Sequence, residues 1–151
     1  ILTIPTKMKA TYTYPILLLL FSLLTMGSSK SETAKRKISI KLEHVLQLSN
    51  NGVGQDWNNF LSINKNVIKK DEELIVELKK RAPLRIEAHS IEEDKNYSDA
   101  GDNHMDFTYS DLISIQESSR FEMNVIVMEN GGPNAGNIAK WKFIFELTKI
   151  E

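Results

Sequence analysis

The side chains with chemistry to offer gather in three polar stretches: residues 49–56 (SNNGVGQD), 92–104 (EEDKNYSDAGDNH) and 129–137 (ENGGPNAGN). Asp56, Glu92, Asp94, Asp99 and Asp102 could supply hard oxygen ligands, because clustered carboxylates repel one another until a cation neutralises them. Glu129, Asn130, Asn134 and Asn137 offer hydrogen bonds to a partner, and Trp57, at the edge of the first stretch, adds an aromatic face. The same composition also suits solvated turns, since Asp, Asn, Gly and Ser are the residues turns require. The D-x-[DN]-x-[DN]-G spacing of an EF-hand loop is absent.

Other chemistries find little support. There is no cysteine, which removes disulfides, thiolate metal sites, cysteine nucleophiles and a cysteine-linked lipid anchor together. His44, His89 and His104 show neither H-x-H nor H-x-x-x-H spacing, and no G-x-S-x-G elbow presents a serine. Glu92 and Glu93 are neighbours and would alternate across a strand, so they do not form an acid/base pair. The chain is therefore expected not to be an enzyme. With 19 basic and 20 acidic residues it carries a formal charge of −1, which implies no nucleic-acid partner.

The elements that must position these stretches follow from hydrophobic period. Ile38, Ile40 and Leu42 alternate, as do Leu84, Ile86 and Ala88, then Phe121, Met123, Val125 and Val127, then Trp141, Phe143, Phe145 and Leu147. Shorter candidates are 57–64, 67–70, 74–78 and 105–109. Segment 71–80 (DEELIVELKK) has helical charges, but Leu74, Val76 and Leu78 alternate, so it reads as strand. The expected fold is all-β, an antiparallel eight-strand β-sandwich without a substantial helix. Strand counting adds a condition: if 67–70 is a strand, all three polar stretches fall at one pole, and otherwise the first faces away.

The N-terminus reads as an export signal. After Met8, the expected start, Lys9 gives positive charge, residues 16–24 are apolar except Ser22, and 25–29 brings small residues. A membrane-spanning helix needs about 20 predominantly apolar residues, and this run is roughly half that. Residues 1–27 are thus expected to be an N-terminal extension and cleavable signal peptide, 28–37 a flexible leader, and 38–151 the folded domain. The mature form would carry no transmembrane segment and would be secreted or periplasmic.

Two stretches resemble the C2 family. ISIKLEHVLQLSNNGVGQDWNNFLSI is similar to its opening strand, Gly-bearing loop and step into the next strand, here Asp56-Trp57-Asn58. PLRIEAHSIEEDKNYSDAGDNHMDFTYSDL looks like its later strand, acidic loop, glycine and strand. The resemblance spans most of 38–112 and implies a C2-like sandwich with calcium held between two acidic loops. Carried over residue by residue, Asp56 and Asp99 fit that pattern, Glu92 is a longer substitute, Asn51 and Ser90 depart from it, and Asp94 and Asp102 lie close enough to compensate. It further implies a non-enzymatic binding module facing a protein, lipid or glycan surface. The alternative is an ion-independent structural or assembly subunit of the cell envelope, which would present a sheet edge or an exposed apolar patch.

Overall fold

The computed structural model describes residues 36–94 and 98–150. The expected signal segment, and all of the leader but its last two residues, lie outside them. Eight strands form two four-stranded antiparallel sheets. The first has the order β4-β1-β8-β7, with β1 at Lys37–Asn50, β4 at Glu73–Glu77, β8 at Ile138–Ile150 and β7 at Ser118–Met128. The second has the order β3-β2-β5-β6, with β3 at Asn66–Ile68, β2 at Trp57–Ile63, β5 at Leu84–Glu93 and β6 at Ser98–Phe107. The eight-strand antiparallel sandwich expected from the alternating stripes is the fold observed.

Those stripes are the core. Ile38, Ile40 and Leu42 of β1 and Phe143, Phe145 and Leu147 of β8 face Leu61 and Ile63 of β2 and Ile86 and Ala88 of β5, all buried. A side chain leaving water in such a setting contributes about 1.5–3 kcal/mol, which drives the two sheets face to face. Among the described residues no helix is long and apolar enough to cross a membrane.

Three elements differ from their sequence expectation. Strand β1 runs on to Asn50, because bulges between Leu42 and His44 and between Gln47 and Ser49 shift the inward phase and break the visible alternation. The stretch 92–104 is mostly strand: β5 runs to Glu93 and β6 begins at Ser98. Its acids had masked a period of two that continues through Ser90, Glu92, Asp99 and Gly101. Finally, β6 stops at Phe107 and a one-turn helix, α1 (Tyr109–Ser114), follows. Thr108 caps it: its hydroxyl accepts from the Asp111 N–H (3.2 Å), while the Asp111 carboxylate accepts from the Thr108 N–H (2.8 Å). Thr108→Ala is expected to lower stability by about 1 kcal/mol, read as a shifted urea midpoint with unchanged slope.

Register shows which connections meet. Lys37 pairs with Ile150 at one end of the first sheet, and Asn50 with Ala139 at the other. In the second sheet Trp57 pairs with Glu92, and Glu92 with Asp99. The chain therefore leaves β1 after Asn50, β5 after Glu93 and β7 after Met128 at one pole, as expected if 67–70 is a strand; the strand found there is β3, Asn66–Ile68. Where the two sheets meet along one side, β6 and β7 run edge to edge: the Asn103 side-chain amide donates to the Asn124 carbonyl (2.8 Å). Gly101 lies so close to β7 that a Cβ there would stand 2.1 Å from the Ile126 carbonyl oxygen.

Candidate functional site

The loop pole is assembled from its backbone outward. Asn50 ends β1, and its Oδ1 accepts from the N–H groups of Gly52 (3.1 Å) and Val53 (2.8 Å) while its amide donates to the Gly54 carbonyl (2.9 Å). This turn needs Gly52, whose φ is +92°. It drives Val53 into the core and lays Gly54 against the Glu92 carboxylate, where a Cβ would stand 1.7 Å from Oε1. The Glu93 N–H then donates to the Asp56 carbonyl (2.8 Å), and Asn51 to the Ile138 carbonyl (3.1 Å). The third loop closes on itself through Glu129, whose carbonyl accepts from the Gly136 N–H (2.8 Å) and whose N–H donates to the Asn137 carbonyl (3.0 Å).

Two buried acids tie the loops to this scaffold. Glu92 and Asp99 are 2% and 5% exposed and stand opposite each other across β5 and β6, both turned inward. Asp99 Oδ1 accepts from the Asn130 backbone N–H (2.9 Å) and from its side-chain amide (3.1 Å), anchoring the 129–137 loop. Glu92 accepts from the Gln55 backbone N–H, anchoring the 51–56 loop. Burial pushes the Glu92 carboxyl above the usual carboxylate range, and the negative charges of Asp94, Asp99 and Asp56 push it further; the Gln55 bond opposes them.

Of the five acids expected to bind calcium, the fold thus brings four near one another. Glu92 and Asp99 are interior, and Asp56 and Asp94 are exposed at the rim. Asp102 is not part of this group. It lies on the outer face of β6, opposite His89, because it is out of phase with Asp99. Calcium takes six to eight oxygens. Here Asp99 is engaged by Asn130, Glu92 lies buried against Gly54, and among the described residues no group of three acidic or histidine side chains could hold a metal. As arranged, these residues do not fit calcium.

The expected ligand-binding residues also divide. Trp57 is half-buried and packs on Trp141 with ring centroids 5.0 Å apart. Asn130 fastens the third loop to Asp99. Asn134 is exposed and accepts through its carbonyl from the Asn137 N–H (3.0 Å), while the Asn137 amide lies against Gly52. Glu129 is half-buried, with Oε2 lacking a hydrogen-bond partner.

Sequence reasoning missed several contributors. Asn50 and Gly54 set the first loop, Ser90 sits fully buried on the same face of β5 as Glu92, and Gly101 admits β7. The Asn-x-Gly order at 50–52 was the available signal, since an Asn that bonds its own turn before a glycine marks a fixed loop. A second surface lies close by. On the outer face of the first sheet Leu46, Ile126 and Met128 are exposed, as is Leu48 in the second bulge, and Lys140 and Lys142 of β8 run between them.

Comparison with known proteins adds one likeness. No family profile matches the chain, and no curated protein matches it. Among solved structures it is similar to the pair of C2 domains, A and B, of extended synaptotagmin 2, at 14% identity and a TM-score of 0.47, over 98% of this chain and 48% of that one. The chain thus spans about half the length of the structure it matches.

Proposed function

We propose that this chain is an exported, non-enzymatic binding module that docks on a protein, lipid or glycan surface through its loop pole. A cleaved segment at 1–27 and the leader at 28–37 would precede the docking domain at 38–151. The observation that carries the reading is the joining of three separate loops into one surface, with Asp99 gripping Asn130 and Glu92 gripping Gln55. Loops fixed in this way lose little conformational freedom on binding, the condition under which contact area becomes affinity. Calcium enters as a question of rearrangement: an ion would have to draw Asp56 and Asp94 inward and release Asp99 from Asn130.

A second reading, an assembly subunit, is favoured by the apolar face of Leu46, Leu48, Ile126 and Met128, since exposed apolar patches mark contact surfaces. One comparison separates the two. The parent chain, a loop variant (Asn134→Ala with Asn137→Ala) and a face variant (Ile126→Ser with Met128→Ser) are offered to anionic vesicles, a glycan array and immobilised envelope proteins. Each is assayed with and without millimolar calcium. Docking by the pole predicts binding lost only in the loop variant at unchanged melting temperature. Loss only in the face variant selects the assembly reading, and a rise in melting temperature with calcium restores the ion.

A further inference from the structure

The end of the sandwich opposite the loops is cut by a groove. β6 stops at Phe107, the chain turns through α1, Ile115 buries itself in the core, and Gln116 and Glu117 lead out into β7. The Lys149 N–H donates to the Glu117 carbonyl (2.9 Å) and holds that last step against the end of β8. Between α1 and the start of β7 lies a cavity of about 720 Å³, and a second of about 550 Å³ adjoins it on the side of Thr148 and Lys149, the two sharing Gln116 and Ser118. Both fall within the range of about 300–1,000 Å³ usual for small-ligand sites.

The walls of this groove are unlike the core they border. Ser114, Gln116, Ser118, Ser119 and Thr148 bring four hydroxyls and an amide to it. The Ser114 hydroxyl is used by the fold, donating to the Asp111 carbonyl (2.6 Å), but among the described residues the other four side chains make no hydrogen bond. A hydroxyl both donates and accepts, and so does an amide, so the set suits a ligand whose own groups do both. One wall is aromatic. Phe121 is half-buried, stacks on Phe145 with centroids 5.8 Å apart and meets Phe107 edge to face at 4.9 Å, which fixes its ring beside the groove.

Charge separates the ligand classes. Asp106, Asp111, Glu117 and Glu146 line the two cavities against one described cation, Lys149, so an anion is repelled. The acids at the aromatic end are already engaged, Asp106 by both arms of Arg85 (2.8 Å each) and Asp111 by the Thr108 N–H and hydroxyl, which weakens their pull on a cation but leaves lone pairs for the hydroxyls of a ligand. An apolar ligand would find little to cover, since Phe107 and Ile115 are each only 8% exposed. We propose that this groove binds a neutral saccharide. Gln116, Ser118 and the neighbouring hydroxyls bond its hydroxyl groups, and the apolar face of one sugar ring lies on Phe121. The site stands at the other end of the sandwich from the loops and goes beyond the docking role proposed for them.

The test titrates the full chain with maltotriose, cellotriose and N-acetylchitotriose in a calorimeter. At least one should bind with a Kd below about 1 mM. Gln116→Ala with Ser118→Ala removes two exposed side chains that bond nothing in the fold, and it should weaken that binding by about tenfold, as the loss of one or two hydrogen bonds implies, at unchanged melting temperature. The Asn134→Ala with Asn137→Ala variant, altered at the other pole, should bind as the parent does. No heat with any of these sugars, undiminished binding in the groove variant, or loss of binding in the loop variant would each overturn the proposal. A galacturonate trimer or a glucosamine trimer that binds more tightly than every neutral sugar would overturn it as well. Failure here leaves the docking role of the loops standing, because the comparison on vesicles, glycans and envelope proteins tests that role through different residues.

Discussion

Gly101→Ala is expected to destabilise the domain by about 3 kcal/mol, the upper part of the range for overpacking a filled site. The added methyl would stand 2.1 Å from the Ile126 carbonyl oxygen, 2.8 Å from its carbon and 3.2 Å from Val127 Cγ2. The first two are backbone atoms of β7, held between buried Val125 and Val127, so they cannot swing aside as a side chain would. Relief requires β6 and β7 to part, which also lengthens the Asn103 to Asn124 bond. Gly136 is the control: nothing lies within 4 Å of a Cβ there, and alanine meets only the strain of φ at +93°. Urea melts of the two variants measure the difference. A Gly101→Ala midpoint matching that of Gly136→Ala would mean that the strands do not approach as described.

Glu92→Gln should change how stability depends on pH. The folded carboxyl lies above its ordinary value of 4.5 because of burial and then of Asp94, Asp99 and Asp56, which face it from the β5–β6 turn, from β6 and from the first loop. No described cation pairs with any of these groups, and the Gln55 N–H acts in the opposite sense. A group whose folded pKa is raised contributes stability that is complete below its unfolded value and is lost as pH rises through the folded one. The parent should therefore lose melting temperature as pH climbs above about 4.5 and through the raised folded value. Glutamine keeps the shape, cannot ionise and should flatten that part of the curve, so that at neutral pH the variant melts above the parent. Thermal melts at matched ionic strength across that window decide it, and parallel curves would remove Glu92 as the titrating group.

The sandwich was legible because its long strands keep one phase: Phe121 to Val127 and Trp141 to Leu147 alternate without interruption, and buried side chains fill nearly every inward position. The segment 71–80 also resolved correctly, as period two in Leu74 and Val76 outweighed helical charges. Legibility failed where phase and polarity disagree. The two bulges of β1 hid the strand beyond Leu42, and at 92–99 acids occupy inward positions, so a composition reading saw a loop where the backbone is largely paired. The clustering of the loops followed from counting strands. The grouping of Glu92 with Asp99, and the exclusion of Asp102, depend on cross-strand register, which no local pattern specifies. The Thr108–Asp111 cap was written in the sequence as T-x-x-D, but one turn of helix is too short for periodicity to reveal.

The close approach at Gly101 has a further consequence, for self-polymerisation. Strand edges with free N–H and C=O groups invite another chain to add itself, and long flat edges are the most inviting. Here the two longest edge strands, β6 and β7, lie against each other, so neither offers its bare flank. What remains open is β3, three residues long, and β4, five residues long and bracketed by Glu73 and Glu77. Such short and charged templates give an incoming strand little to pair with, which disfavours stacking of copies into fibres.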